Sequence, residues 1–253
     1  MSAVAAAGRR ILPRGWTDFG FQVLLWLGFY CSYQVVRGFA DRDHGKAFIN
    51  GLHVIALEQR ITPNHLFEQT AQSIADSSQW LLTAAAWTYW NSEFTVIGLT
   101  LLWVYLRRNE HFARFRNTIL LANTIGLIGY AFVPTAPPWM FPSFGFVMGV
   151  NHSHGLIGAF ANPYAAMPSL HAADALIVGV CLLAASKRWW SKALWAFWPV
   201  WVWFCVIATA NHFWLDVVAG IGVAALSLVI VSKVPLLGGR RRLPAEEPIA
   251  NLL

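Results

Sequence analysis

Two histidines and an aspartate stand at the mouths of long apolar runs. His171 lies in YAAMPSLHAADALIVG (Tyr164 to Gly179), and His212 and Asp216 open ANHFWLDVVAGIGVAALSLVIV (Ala210 to Val231). His212 and Asp216 are four apart, so on a helix they share a face and their side chains can meet. A carboxylate that holds one ring nitrogen of an imidazole fixes its tautomer and leaves the other nitrogen as a nucleophile or base. Pro168 precedes His171 and suits the first position of a helix, so both histidines are expected in the first turns of their helices. There the helix dipole and unpaired N–H groups favour an anion such as phosphate. Either histidine alone reads equally well as an interfacial residue near water. Two at matching helix starts, with a carboxylate at i+4, point to function, because ionisable groups at membrane depth are costly.

The elements that must position these groups are membrane helices. The chain has 253 residues, 57% hydrophobic and 12% charged, against about 25% charged in soluble domains. Fourteen tryptophans suit a protein with two membrane–water interfaces to anchor. Apolar runs long enough to span, roughly 20 residues each, cover 17–36, 80–106, 117–135, 168–186, 193–210 and 212–232. The expected fold is therefore all-α: a polytopic membrane protein with six transmembrane helices and short interfacial helices between the first and second. Its parts are a cytoplasmic N-terminal segment 1–16, a membrane catalytic domain 17–235 and a disordered basic tail 236–253. Within the domain, AFINGLHVIALEQRI carries Ile49, Leu52, His53, Ala56 and Leu57 at helical spacing, predicting surface helices over 44–76. The first run follows Arg9, Arg10 and Arg14 like a signal sequence, but no small-residue cleavage site follows, so it reads as a retained anchor. Cys31, Cys181 and Cys205 all fall inside apolar runs, which argues against a disulfide framework or a zinc site.

Charge sets the orientation. Under this topology fourteen of the eighteen cations fall on one side, and only Arg37, Arg42, Lys46 and Arg60 fall on the other. The first side is cytoplasmic, with both termini. The basic runs are thus topology signals, and no nucleic-acid partner is expected. His171, His212, Asp216 and the segment 134–167 then gather on the non-cytoplasmic face of an integral membrane protein, in the plasma membrane or its equivalent. That segment is uncharged and rich in Pro, Gly and aromatics, and reads as a re-entrant-like loop shaping a lipid-entry cleft or as ordinary interfacial packing. Asp174, three residues after His171, could orient that imidazole or line a wet cavity. Asn91 and Glu93 interrupt the second run as a helix break near the site. Glu58 and Glu68 fit a solvated face as well as a contact to a substrate hydroxyl.

With these residues in view, PSLH (Pro168 to His171) and HFWLD (His212 to Asp216) resemble the two histidine motifs of the type 2 phosphatidic acid phosphatase superfamily, P-S-G-H and S-R-x5-H-x3-D. PSLH, VPTAPPW (Val133 to Trp139), RGFAD (Arg37 to Asp41) and ALEQRI (Ala56 to Ile61) are similar to its inositol phosphorylceramide synthase branch, so the likeness covers most of 30–232. The resemblance implies a metal- and cofactor-independent phosphohistidine mechanism: His212 attacks phosphorus, Asp216 orients it, and His171 protonates the leaving oxygen. His171 then activates the acceptor hydroxyl or water. The chain departs from the pattern in its cations. Val206 stands where the phosphatase motif has Arg, Trp139 where many branch members have Arg, the K-x6-R-P motif is missing, and no Lys or Arg occurs between Arg116 and Lys187. By elimination the phosphate clamp falls to Arg37 first and Arg60 second, with Ser169, His152, His154 and Asp174 as further candidates for substrate contact. Arg37 could equally snorkel to the interface.

The function expected is transfer of a phosphoryl or phospho-head group, phosphoinositol among the candidates, from a phospholipid donor to a hydroxyl acceptor: a lipid, a sugar or water. Hydrolysis of a phosphatidate- or polyprenyl-phosphate-like lipid is the alternative, and a non-enzymatic lipid binder or transporter the second. A membrane serine protease built on Ser169 lacks its G-x-S-G surround, and the eight histidines do not form the clustered boxes of a di-iron oxidase.

Overall fold

Apolar runs separated by short polar breaks give a bundle of helices and little else. The computed structural model describes residues 12–40, 44–63, 65–150 and 163–234, with side chains left aside at 37–40. The expectations for 1–11, Arg42, His152, His154, the tail and the Arg37 side chain lie outside the described residues. In chain order the helices are α1 (Gly15–Ala40), α2 (His44–Ile61), α3 (Phe67–Asp76), α4 (Gln79–Asn91), α5 (Ile97–Arg107), α6 (Asn109–Phe132), α7 (Leu170–Ala185), α8 (Trp189–Ala208) and α9 (Trp214–Lys233). No strand occurs among the described residues, and Thr135 and Ala165 form an isolated parallel bridge.

Among the described residues, three helices are long and apolar enough to cross a membrane: Gly15–Val36, Trp189–Ala208 and Trp214–Lys233. Of the other three expected spans, α7 is apolar but has only 16 residues. The run 80–106 is α4 and α5 joined end to end through a π-helical turn, Ser92–Val96. The run 117–135 falls largely within the later part of α6, and its last residues, Val133 to Thr135, lie beyond that helix. Large apolar side chains such as Leu24, Leu99, Val218 and Leu226 face outward, as an exterior bathed in lipid requires.

The helices α2 and α3 are amphipathic in an inverted sense. α2 buries Ala47, Gly51, Val54, Ile55 and Glu58 while Ile49, Leu52, Leu57 and Ile61 are exposed. α3 buries Glu68, Ala71, Gln72 and Ala75 while Phe67 and Ile74 are exposed. The solvated-face reading of Glu58 and Glu68 is therefore overturned: both are fully buried. In an apolar surround the carboxylates find their partners inside the protein.

The centre of the bundle is α7, which packs on α6, α8 and α9. One face sends Leu170, Ala173, Ile177 and Val178 into a core with Ile119, Ala122 and Tyr130. Another meets Val202, Val206 and Val217 through Ala172 and Ala175. The start of α9 crosses the start of α7 at Gly220, where a Cβ would collide with the Ser169 carbonyl oxygen.

Two helix starts differ from expectation. α7 begins at Leu170, after an N-cap Ser169 whose hydroxyl accepts the Ala172 N–H at 3.2 Å, so Pro168 lies outside the helix. α9 begins at Trp214, because Asp216 folds back to accept the Phe213 N–H at 2.8 Å. That bond leaves His212 in the preceding turn, not in the helix.

Gly220→Ala should lower the melting temperature of the detergent-solubilised chain, an overpacking cost of about 2 kcal/mol. Gly222→Ala, whose added Cβ meets nothing within 4 Å, should leave it unchanged or raised. Equal melting of the two variants would contradict the close crossing of α7 and α9.

Candidate active site

The chain reaches His212 by a strained turn. Ala210 adopts a left-handed φ of 56°, a conformation that costs a non-glycine residue free energy and that clusters at functional sites. The Asn211 and His212 N–H groups both donate to the Val206 carbonyl at 3.1 Å. The His212 side chain is thereby turned inward, and its Nδ1 lies 2.9 Å from the Ala166 carbonyl oxygen. A carbonyl only accepts, so Nδ1 carries the proton and Nε2 keeps a free lone pair. Asp216 Oδ2 lies 3.7 Å from the same Nδ1, beyond hydrogen-bond length. Asp216 Oδ1 is buried without a partner among the described residues.

The Ala166 carbonyl is itself held by backbone. Its N–H donates to Thr135 O at 3.3 Å, and the Thr135 N–H donates to Tyr164 O at 2.9 Å. The VPTAPPW segment ties in two further elements, with Ala136 N–H donating to Ala47 O at 3.0 Å and Trp139 N–H to Ala210 O at 3.1 Å. The segment acts through its main chain, and Trp139 contributes there without the charge an arginine would bring.

His171 faces His212 with ring centroids 5.5 Å apart. Tyr89 stacks on His171 at 4.6 Å and 14°, and Glu93 Oε2 lies 3.2 Å from its Nε2. Glu93 is placed by the π turn, which resets the helical phase between α4 and α5; such turns recur at functional sites. The sequence marked a break at this point but not a partner for His171. Asp174, by contrast, does not face the imidazole: it is buried and accepts from Asn123 Nδ2 at 2.9 and 3.0 Å. Glu93 and Asp174 line a cavity of about 590 Å³, otherwise walled mainly by Trp26, Phe29, Ile97 and Leu101.

Expected partners for phosphate are arranged otherwise. The N-terminal amides of α9 are taken: Phe213 N–H by Asp216, Trp214 N–H by Glu68 Oε1 at 2.7 Å, and Leu215 N–H by Glu58 Oε1 at 3.1 Å. Carboxylates thus occupy the helix start where an anion was expected. Ser169 is buried as an N-cap, and its N–H donates to the Asp216 carbonyl at 3.0 Å. Arg60 is exposed, two residues and some 200° round the helix from inward-facing Glu58, so it is not brought to the histidines. The backbone at Arg37 lies one turn beyond Tyr33, another residue of the cavity wall.

The site therefore holds a buried imidazole with a free Nε2, a second imidazole opposite it, and a carboxylate behind each. A model of the PAP2 superfamily matches residues 52–230. The phosphoinositol dihydroceramide synthase of Bacteroides thetaiotaomicron is 28% identical over 184 residues, 66% of this chain and 58% of that protein; this chain thus spans less than two thirds of that relative. LpxE from Aquifex aeolicus shares the fold, with a TM-score of 0.52 and 16% identity over 66% of this chain and 93% of that one. Since the matched stretch runs from the middle of α2 almost to the end of α9 and takes in both histidines, the chain belongs to the PAP2 superfamily of lipid phosphatases and phosphotransferases.

Proposed function

We propose that the chain is an integral membrane phosphotransferase that moves a phospho-head group from a phospholipid to a hydroxyl acceptor through a phosphohistidine at His212. The observation that carries the reading is the free Nε2 of His212 opposite His171 at 5.5 Å between ring centroids. Nε2 attacks phosphorus, the N–P bond forms, and the bond to the donor's leaving oxygen breaks as His171 gives that oxygen a proton. In the second half His171 takes the proton of the acceptor hydroxyl, the oxygen attacks phosphorus, and the P–N bond breaks. Phosphorylated imidazole is cationic, and Asp216 at 3.7 Å from Nδ1 stabilises it. Glu93 is the partner that holds His171 in one orientation through both proton transfers.

Transfer is favoured over hydrolysis by the cavity beside Glu93 and Asp174. An apolar chamber whose polar wall offers carboxyl groups suits a neutral lipid bearing hydroxyl or amide donors. A relative named as a phosphoinositol dihydroceramide synthase agrees with a hydroxyl lipid as acceptor and phosphoinositol as the group moved. Arg37, at the end of α1, is our candidate for the cation that meets the phosphate. The six-span frame with the site on the non-cytoplasmic face and cytoplasmic termini belongs to the same proposal.

Purified protein incubated with candidate phospholipids and ceramides should give head-group exchange by mass spectrometry, with little free phosphate; His212→Ala should give neither. Free phosphate as the main product would establish hydrolysis instead, and full activity in His212→Ala would reject the enzyme reading. His171→Ala should lower kcat about 10²- to 10⁴-fold, the range of general acid–base catalysis. Glu93→Gln should lower it less, with the KM for the phospholipid donor little changed. A Glu93→Gln enzyme with a wild-type kcat and pH profile would remove Glu93 from the mechanism. Arg37→Ala should abolish turnover without loss of expression, whereas near-normal activity would assign Arg37 to the interface.

A further inference from the structure

Glu58 and Glu68 come from different helices and end at the same place. Their side chains are fully buried, and each uses one oxygen to accept an amide at the start of α9, Glu68 from Trp214 and Glu58 from Leu215. Each keeps a second buried oxygen, Oε2, with no donor among the described residues, and because the amides they accept, Trp214 and Leu215, are consecutive, the two carboxyl groups lie side by side. Two carboxylates side by side in a dry pocket repel, and both orphan oxygens are acceptors, so a proton between them satisfies both at once.

We propose that Glu58 and Glu68 share a single proton and, as a pair carrying one negative charge, act as positioning residues that clamp α2 and α3 to the start of α9 and so hold the His212 turn. The clamp joins consecutive amides: Asp216 takes Phe213, Glu68 takes Trp214, and Glu58 takes Leu215. Phe213 is fully buried beneath it, in a cluster with Val54, Ile55, Phe141 and Phe146. Among the described residues, the titratable group facing the pair from α9 is Asp216, with His212 beyond it; His53 and Arg60 on α2, and His65 and Asp76 beside or on α3, are exposed. Burial, and then the neighbouring Glu68, push the Glu58 carboxyl up to about 9 from an ordinary 4.5; burial raises Glu68 as well.

The sign of the pH dependence follows. The folded protein keeps a proton that the unfolded chain has released above about 4.5, so the pair's contribution to stability is full below that pH. It declines as pH rises and is lost by about 9. Glutamine at either position mimics the protonated partner, since its oxygen accepts the α9 amide and its NH₂ donates to the remaining carboxylate.

The test uses the full chain in lipid nanodiscs with Glu58→Gln, Glu68→Gln and the double variant. It rests on the transferase reading only for its activity arm. Wild type should lose melting temperature between pH 5 and 9 more steeply than either single variant. Each single variant should keep at least a third of wild-type exchange at pH 7 and lose the alkaline fall in kcat near pH 9. The double variant, with two NH₂ groups opposed and the charge gone, should fall at least tenfold in kcat. Melting profiles of the single variants parallel to wild type, or single variants as impaired as the double, would overturn the shared proton. If the variants do not fold, the infrared spectrum of wild type decides: a protonated carboxyl band that titrates away near pH 9 supports the pair, and the absence of such a transition overturns it. Because melting and infrared readouts need no substrate, failure of the proton pair is distinguishable from failure of the proposed reaction.

Discussion

The hydrogen bond from His212 Nδ1 to the Ala166 carbonyl, 2.9 Å long, decides what the site can do. A carbonyl partner admits one tautomer of the neutral ring, and that tautomer leaves Nε2 unprotonated and aimed away from the backbone. A carboxylate at hydrogen-bond distance would do this too, but it would hold a full charge against the imidazole in its resting state. Here Asp216 stands back at 3.7 Å and spends its nearer bond on the Phe213 N–H. The resting ring is therefore held by a neutral dipole, with the Asp216 carboxyl standing behind it. The rest of the local structure serves this bond: Thr135 fixes Ala166, the left-handed Ala210 delivers His212, and the crossing at Gly220 brings the two helix starts together.

Where lipid replaces water, a carboxylate has no solvent to return to and is driven to backbone donors inside the protein. Glu58 and Glu68 find theirs at the start of α9, while Ile49, Leu52, Leu57 and Ile61 of α2 and Phe67 and Ile74 of α3 turn outward. The start of α9, which looks like an anion site in the sequence, is in this way filled by the protein's own carboxyl groups.

Much of this was legible in the sequence, and the illegible parts share a cause. His171, His212 and Asp216 stood out because each is a polar group at the mouth of an apolar run, and the structure brings them together. The helix pattern of 44–76 was readable from its period. What period could not show was which face turns inward, because the apolar stripe of α2 looks outward here and Glu58 looks in. Sequence spacing alone cannot distinguish i,i+4 on a helix from a residue held just before the cap, so His212 reads as part of α9 although it precedes it. Glu93 was seen as a break, but its alignment with His171 depends on one π turn, which has no sequence signature. The work of VPTAPPW is done by main-chain atoms of Thr135, Ala136 and Trp139, and side-chain chemistry is silent about it.

The most direct test of the account is the position of phosphorus on the His212 ring. Enzyme quenched during turnover with a labelled phospholipid, digested at alkaline pH and examined by ³¹P nuclear magnetic resonance, should show the phospho-group on Nε2 of His212. Phosphorus on Nδ1, on His171, or on no histidine at all would contradict the tautomer set by Ala166 and the mechanism built on it.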